Sequence, residues 1–258
     1  MSVEKNQKLK NLSVLWPLHT VASTLWLKQK GYSDQLLYRY IQSKWIKHVS
    51  RGAVIRQHDQ FDWSGAVWGA QQTHSMHVGG KTALEIQGKA HFVKRKETEV
   101  FVFLGAKEKL PQWFNLLELE IKIVSIASKF FPPTIGIIQQ CYGDFSLNIS
   151  NPARAMMEYI FLLDKYHSYE EAYFLMEGLS TLDPTLFQEA LENCTSIKVK
   201  RLTLCLAKKV GVNWYKDIEI QEINLGAGPR HYLSKGAYDS EYMITYPKVW
   251  DKDDNVQF

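Results

Sequence analysis

Apolar residues in the first quarter of the chain recur at two different periods, and the change between them marks the elements. Val21, Ala22, Leu25 and Trp26 fall at i, i+1, i+4 and i+5, one stripe of a helix. The spacing predicts a helix over Val21–Lys28 with Thr20 as its N-cap. Gly31 sits where the chain must reverse. Ser33 or Asp34 then caps a further helix, Gln35–Ser43, in which Leu36, Leu37, Tyr40 and Ile41 repeat the spacing. Ahead of both, Leu9–Leu15 reads as a short helix ended by Pro17, because proline disfavours the helical state in the residue before it. Beyond them the period falls to two. Trp45–Val49 and Ala53–Gln57 alternate around Ser50-Arg51-Gly52, a two-stranded hairpin with a glycine in its turn. Helix, turn, helix, hairpin is the element order of a winged helix-turn-helix.

The pattern continues with a helix over Asp62–Gln72 that turns Trp63, Ala66, Val67 and Ala70 inward, and a short helix over Gly79–Gln87. Val100–Leu104 reads as an apolar strand and Pro111–Phe114 as an aromatic bend. Leu116–Ile126 alternates in part, with Glu118, Glu120 and Lys122 outward, and predicts a strand with one wet face. A turn-rich stretch over 132–151 follows. Asn151 then caps a helix that starts on Pro152 and runs to about Lys165. Further helices are predicted over Tyr169–Leu179, Pro184–Glu192 and Ile197–Val210, and strands over Ile218–Thr245. The tail from Asp251 reads as acidic and frayed. The fold expected is α+β: a winged helix-turn-helix over 1–60 and a larger mixed α+β domain over 61–258, with a sub-boundary near 132–151.

Charge sharpens this division. Residues 1–60 carry 10 Lys+Arg against 3 Asp+Glu, a net of +7, whereas the remaining 198 residues carry 21 against 24, a net of −3. The mild overall +4 therefore hides a basic head, the footprint of a phosphate-contacting domain. The helix face left outside by the apolar stripe holds Gln35, Tyr38, Arg39 and Gln42. Gln pairs with adenine, and Arg with guanine or phosphate. The expected DNA-binding set is these four with Ser33 and Lys44, and Lys47, Arg51 and Arg56 on the hairpin. The plainer alternative for the head is a module that only contacts protein. A second basic run, Lys198, Lys200, Arg201, Lys208 and Lys209, contains no acid and reads either as a solvated helix face or as a second nucleic-acid or partner surface.

Other chemistry is sparser. Three cysteines, Cys141, Cys194 and Cys205, are widely spaced and form no CxxC pair. That argues against a disulfide framework and for a reducing compartment. The polar, Lys-rich start does not read as a signal sequence, and no apolar run is long enough to predict a membrane-spanning helix. Gly79-Gly80-Lys81-Thr82 echoes the end of a phosphate-binding loop, but Ser75 stands where that loop needs glycine. Its glycines read as a tight helix entry with Thr82 as cap. His74, His77 and His91 have no cysteine or carboxylate to complete a metal set. Glu120-x-Lys122 resembles half of a metal-dependent nuclease site and supplies the alternative that the protein is an enzyme. Arg154 and Glu158, four apart, read as a helix pair. No cofactor, metal or catalytic group is expected.

Several of these stretches together resemble the AbiEi-type antitoxins of type IV (abortive-infection) toxin–antitoxin systems. The similar text is Gly31-Tyr32-Ser33, Tyr38-Arg39-Tyr40, Trp45 with Arg51-Gly52-Ala53, Asp62–Ala66, Val78–Gly88, Leu110–Phe114, Asn151–Glu158, Lys198–Leu202 and Leu225–Arg230. The order and spacing hold over roughly residues 12–247. The resemblance implies a cytoplasmic bacterial regulator that represses its own promoter by binding inverted repeats through the winged head. It also implies that the protein counters a partner toxin of the nucleotidyltransferase class, a task that needs the C-terminal domain. A pure interaction protein that holds the toxin directly is the remaining reading.

Overall fold

A computed structural model describes residues 2–90 and 99–251, with side chains from residue 7 onward. His91 and the acidic tail beyond residue 251 lie outside the described residues. The chain divides into two compact units, Met1–His77 with Glu97–Ala127 and Gln139–Asn148, and Val78–Lys96 with Ser128–Ile138 and Ile149–Phe258. The fold is α+β, with helices at the N-terminus and a mixed sheet farther on.

The first unit opens with α1 (Ser2–Leu15), β1 (Ala22–Ser23), α2 (Thr24–Gln29), α3 (Asp34–Gln42), β2 (Ile46–Ser50) and β3 (Ala53–Arg56). The three strands form an antiparallel sheet in the order β1-β3-β2. This is the winged arrangement that the periodicity predicts, with one shift. The helix expected from Val21 begins at Thr24, because Ala22 is drawn into the sheet opposite Val54. Ser23, not Thr20, is the N-cap, its Oγ accepting from Trp26 N at 3.1 Å. The buried stripe moves with it to Trp26 and Leu27, and Leu25 is left 54% exposed.

Behind the head lies α4 (Trp63–Gln71), capped by Asp62, whose carboxylate accepts from Ser64 N and Gly65 N. Every residue from Trp63 to Ala70 is buried, not only the predicted face. Two glycines make this possible: a Cβ on Gly65 would stand 1.9 Å from the His19 carbonyl oxygen, and one on Gly69 2.1 Å from that of Val21. The helix therefore lies directly on the backbone of the segment leading into β1. Trp26 and Trp68 meet edge to face at 5.4 Å, a favoured aromatic geometry.

Next come β4 (Met76–Val78), α5 (Gly80–Ile86), β5 (Glu99–Gly105), β6 (Lys122–Ser128), β7 (Ile137–Tyr142) and β8 (Phe145–Ser150). The five strands are ordered β6-β5-β4-β8-β7, with β4 parallel to β8. Two expectations are corrected here. The strand predicted from Leu116 begins only at Lys122, because Phe114–Leu116 close a 3₁₀ turn first. The turn-rich stretch over 132–151 contains a strand hairpin, reversed at Gly143 with φ +61°.

The second unit is built mainly from α6 (Pro152–Phe161), α7 (Tyr169–Glu177), α8 (Pro184–Asn193) and α9 (Ile197–Val210). Asn151, Ser168, Asp183 and Ser196 cap their starts. Asn151 was expected as a cap, but α6 stops at Phe161, short of Lys165. Between Ile218 and Thr245 the strands are β9 (Ala237–Asp239) and β10 (Ile244–Tyr246), paired antiparallel, with Arg230 adding a single parallel bridge to Ile244, and the remainder is irregular or 3₁₀. Ring contacts close the core: Phe187 stacks on Trp214 at 3.9 Å, and the Trp250 indole donates to Tyr169 O at 2.8 Å. Among the described residues no helix is long and apolar enough to cross a membrane.

A candidate nucleic-acid interface

The site is organised by α3. Its apolar residues Leu36, Leu37 and Tyr40 are buried, which turns Gln35, Tyr38, Arg39 and Gln42 outward as a contiguous exposed face, Tyr38 at 62%. Ser33 is the N-cap, its Oγ accepting from Leu36 N at 3.4 Å, so that hydroxyl is engaged locally. Arg39 Nε donates to the Gln35 carbonyl at 3.3 Å, which lays the guanidinium along its own helix. Lys28, at the end of α2, pairs with Asp34 at 2.8 Å. Both are solvated, so the pair adds little stability. Lys44 lies exposed just past α3 in the left-handed region, φ +56°.

The hairpin follows. Lys47, His48 and Arg51 are exposed or half-buried on β2 and its turn. The turn is held by one backbone and one side-chain bond: Thr24 N donates to Gly52 O at 2.9 Å and Ser50 Oγ to Trp113 O at 2.9 Å. Arg56, expected on the outside, is turned in. Its Nη2 donates to the Trp16 carbonyl and, at 3.2 Å, to that of Ser13, and its guanidinium lies 5.3 Å from the Trp16 ring. Burial pulls its pKa below the ordinary arginine value against the opposing pull of Asp59. Arg56 ties the end of α1 to the hairpin, and alternation alone could not show it, because the last residue of a strand can face either way.

At the base of the hairpin, away from its turn, a groove of about 660 Å³ opens among Leu18, His19, Lys44, Trp45, Arg56 and Asp59. Trp45 is 56% exposed and Leu18 50%. His19 Nδ1 contacts the buried Asp59 at 3.0 Å, and Asp59 also accepts from His19 N at 2.8 Å. The sequence offered no signal for this cluster, whose members come from three separate stretches.

The second basic run is turned inward at Lys200 and Arg201, while Lys208 is exposed and Lys198 and Lys209 are half-buried. Arg201 is 1% exposed and Lys200 3%. Arg201 donates to the carbonyls of Leu225, Gly226, Gly228 and Met243 at 2.7–3.2 Å, and Lys200 donates to that of Asn224 at 2.9 Å. Lys198 sits 3.3 Å over the Tyr232 ring, Lys208 pairs with Glu241, and Lys209 pairs with Asp251 at 2.5 Å. Burial pulls the ammonium pKa of Lys198 and Lys200 down. The helix contains no acid of its own because its partners are backbone carbonyls and carboxylates distant in sequence.

The remaining motifs resolve as structure. The N-terminus of α5 at Gly79-Gly80 is occupied by the chain's own anion: Glu158 Oε2 accepts from Gly80 N at 3.0 Å. Thr82 is buried inside that helix rather than capping it. Glu158 also receives Arg154 Nε at 2.8 Å and Ser150 Oγ at 2.7 Å, so the predicted helix pair is a buried network. His77 stacks on Phe103 and His74 meets Thr73 Oγ1. Glu120 lies exposed ahead of β6, and Lys122 pairs with Glu99 at 2.6 Å, so the two do not share a strand. Among the described residues no three His, Cys, Asp or Glu side chains gather as a metal site would require.

A family model described as a transcriptional regulator, AbiEi antitoxin, of the type IV TA system matches residues 97–247. The model of the AbiEi antitoxin N-terminal domain matches residues 5–95. Among solved structures, the crystal structure of the RV2827C protein from Mycobacterium tuberculosis matches with a TM-score of 0.52 at 12% identity, over 87% of this chain and 85% of that one. At that identity the likeness concerns the fold alone. No curated protein matches.

Proposed function

Since the chain belongs to the AbiEi antitoxin family of transcriptional regulators in type IV toxin–antitoxin systems, we propose that it represses its own operon by docking the winged head on inverted repeats in the promoter. The observation that carries this reading is the capped, nine-residue α3 with Gln35, Tyr38, Arg39 and Gln42 on one exposed face. In this reading these four enter the major groove, Lys44 and Lys47 meet phosphate, and Arg51 reaches it from the hairpin turn. Arg56 is left out of the contact set, because its Nη2 serves the end of α1 and its Nη1 is buried. The basic residues of α9 are left out because each already has a partner within the chain.

The same reading makes the protein a cytoplasmic, non-enzymatic antitoxin against a nucleotidyltransferase toxin of the operon. Its support is the family and the dispersal of Glu120 and Lys122 away from any common site. Mobility shift on the upstream DNA tests the docking. Arg39→Ala with Arg51→Ala should weaken binding by at least about tenfold, since a good base or phosphate contact contributes about 1–3 kcal/mol. Lys47→Ala should lower the salt slope by about 1. Wild-type affinity in the double variant would remove α3 and the hairpin from the interface.

A further inference from the structure

The groove at the base of the hairpin has the marks of a ligand site, and the docking reading uses only Lys44 of its lining. Its volume, about 660 Å³, falls in the range of small-molecule pockets. One wall is the exposed ring of Trp45, with Leu18 beside it. Lys44 and Arg56 bring cations to it. Arg56 Nη1 is buried and has no hydrogen-bond partner among the described residues, a condition that buried donors rarely tolerate. The single carboxylate there, Asp59, is already held by His19 through both its ring and its amide. The groove is therefore left with a positive excess beside an apolar face.

Backbone strain collects at the same place. His19 and Lys44 are two of the four non-glycine residues with positive φ among those described, at +61° and +56°, and both line the groove. Strained conformations of this kind cluster at ligand clamps and switches. Position separates the groove from the tip of the hairpin. The register runs from Ile46 opposite Arg56 to Ser50 opposite Ala53, so the groove stands about 13 Å from the hairpin turn at the rise of an extended strand.

We propose that this groove binds a small planar aromatic anion, of the aromatic carboxylate class, which stacks on Trp45 and is charge-paired by Lys44 and Arg56. Because Lys44 is the exit residue of α3, an occupant would bear directly on the end of that helix. The binding claim itself is independent of whether α3 reads DNA, and it is tested without DNA.

Salicylate serves as the probe, with neutral salicylamide and inorganic phosphate as controls, followed by ¹H–¹⁵N chemical shifts and calorimetry on the full chain. Saturable shifts at the Trp45 indole and at Lys44 are expected. Trp45→Ala should weaken binding by about tenfold, as a stacked aromatic contact does. Lys44→Asn should weaken it several-fold, and asparagine tolerates the left-handed turn, so the fold is kept. Lys47→Ala, with unchanged salicylate affinity, controls for general charge. Shifts that fail to saturate or that map elsewhere overturn the proposal. So does equal binding of salicylamide, which would remove the anion requirement, or equal binding of phosphate, which would remove the stacking. Circular dichroism of each variant guards against misfolding, and a wild-type spectrum with undiminished affinity in both Trp45→Ala and Lys44→Asn counts against the site.

Discussion

Arg201 offers the sharpest test of the physical reading, because two accounts of the same charge predict opposite results. As part of a nucleic-acid surface, its removal would cost binding and leave stability alone. The structure makes it a strut. Its guanidinium is 1% exposed and donates to Leu225 O at 2.8 Å, Gly228 O at 2.7 Å, Met243 O at 3.1 Å and Gly226 O at 3.2 Å. The segment holding three of these carbonyls belongs to no helix or strand, so the arginine does for them what a ladder would. Each charged hydrogen bond contributes about 1.5–3 kcal/mol. The sum is reduced by the several kcal/mol needed to desolvate the guanidinium. Arg201→Met keeps most of the stem, removes all the donors and leaves the carbonyls to find water. We expect a net loss of about 3–5 kcal/mol, the cost of breaking a buried charged network. Arg201→Lys should fall between, since an ammonium cannot reproduce the fork. With two units, a single global transition is not guaranteed, so the readout is amide exchange along α9. Protection unchanged to within about 0.5 kcal/mol in Arg201→Met, the usual size of a neutral surface change, would refute the strut.

Two further outcomes are expected. Burial raises the pKa of Glu171, but hydrogen bonds from Lys81 and Tyr159 outweigh it and leave it below the ordinary carboxylate value. A depressed folded-state pKa gives stability that is full above the unfolded value and lost as pH falls through the folded one. Acid unfolding of the second unit should therefore steepen below about pH 4.3, and Glu171→Gln should flatten that limb; an unchanged limb would remove the carboxylate from the balance. Thiol labelling supplies the other check: burial pushes Cys194 up to about 11 and Cys205 up to about 12, while Cys141 is exposed. In native protein a disulfide reagent should modify Cys141 alone, with the other two reacting only on unfolding; fast reaction of all three would contradict the burial.

What was legible in the sequence follows a physical line. Short-range signals were sufficient where a helix is set by its own residues. The apolar spacing of Leu36, Leu37 and Tyr40 gave the exposed face of α3, and Asn151-Pro152 gave the start of α6. They failed where a neighbour distant in sequence decided. Ala22 belongs to a strand because Val54 lies beside it, and the start of the helix moved three residues in consequence. The β7–β8 hairpin was missed for a different reason: β7 is exposed or half-buried and shows no clean alternation, and without it the alternation of Phe145, Leu147 and Ile149 with Ser146 and Asn148 on β8 had no evident partner strand. Charge was the least legible of all. Net charge located the basic head, but nothing in the local text separated Arg51, left in solvent, from Arg56, consumed by the carbonyls of Ser13 and Trp16. Nor did it separate Glu120, which is free of any strand, from Glu158, which caps α5 across 78 residues.

These internal uses of charge bear on how the head could work. A recognition face is effective when it needs no ordering at the moment of contact. Here α3 is fixed at both ends by local bonds, Ser33 Oγ to Leu36 N at its start and Ser43 Oγ to Arg39 O at 2.8 Å at its finish. The hairpin beside it is clamped twice. Thr24 N donates to Gly52 O in its turn and Ser50 Oγ donates to Trp113 O, and Gln57 N closes its base on Trp45 O at 3.0 Å while Arg56 ties that base to α1. These supports present the side chains of Gln35, Tyr38, Arg39, Gln42, Lys44, Lys47 and Arg51. An arginine spent inside the head is thus not a lost contact. It holds the backbone that presents the others, and removing it would loosen every contact together, where removing Arg39 would erase one.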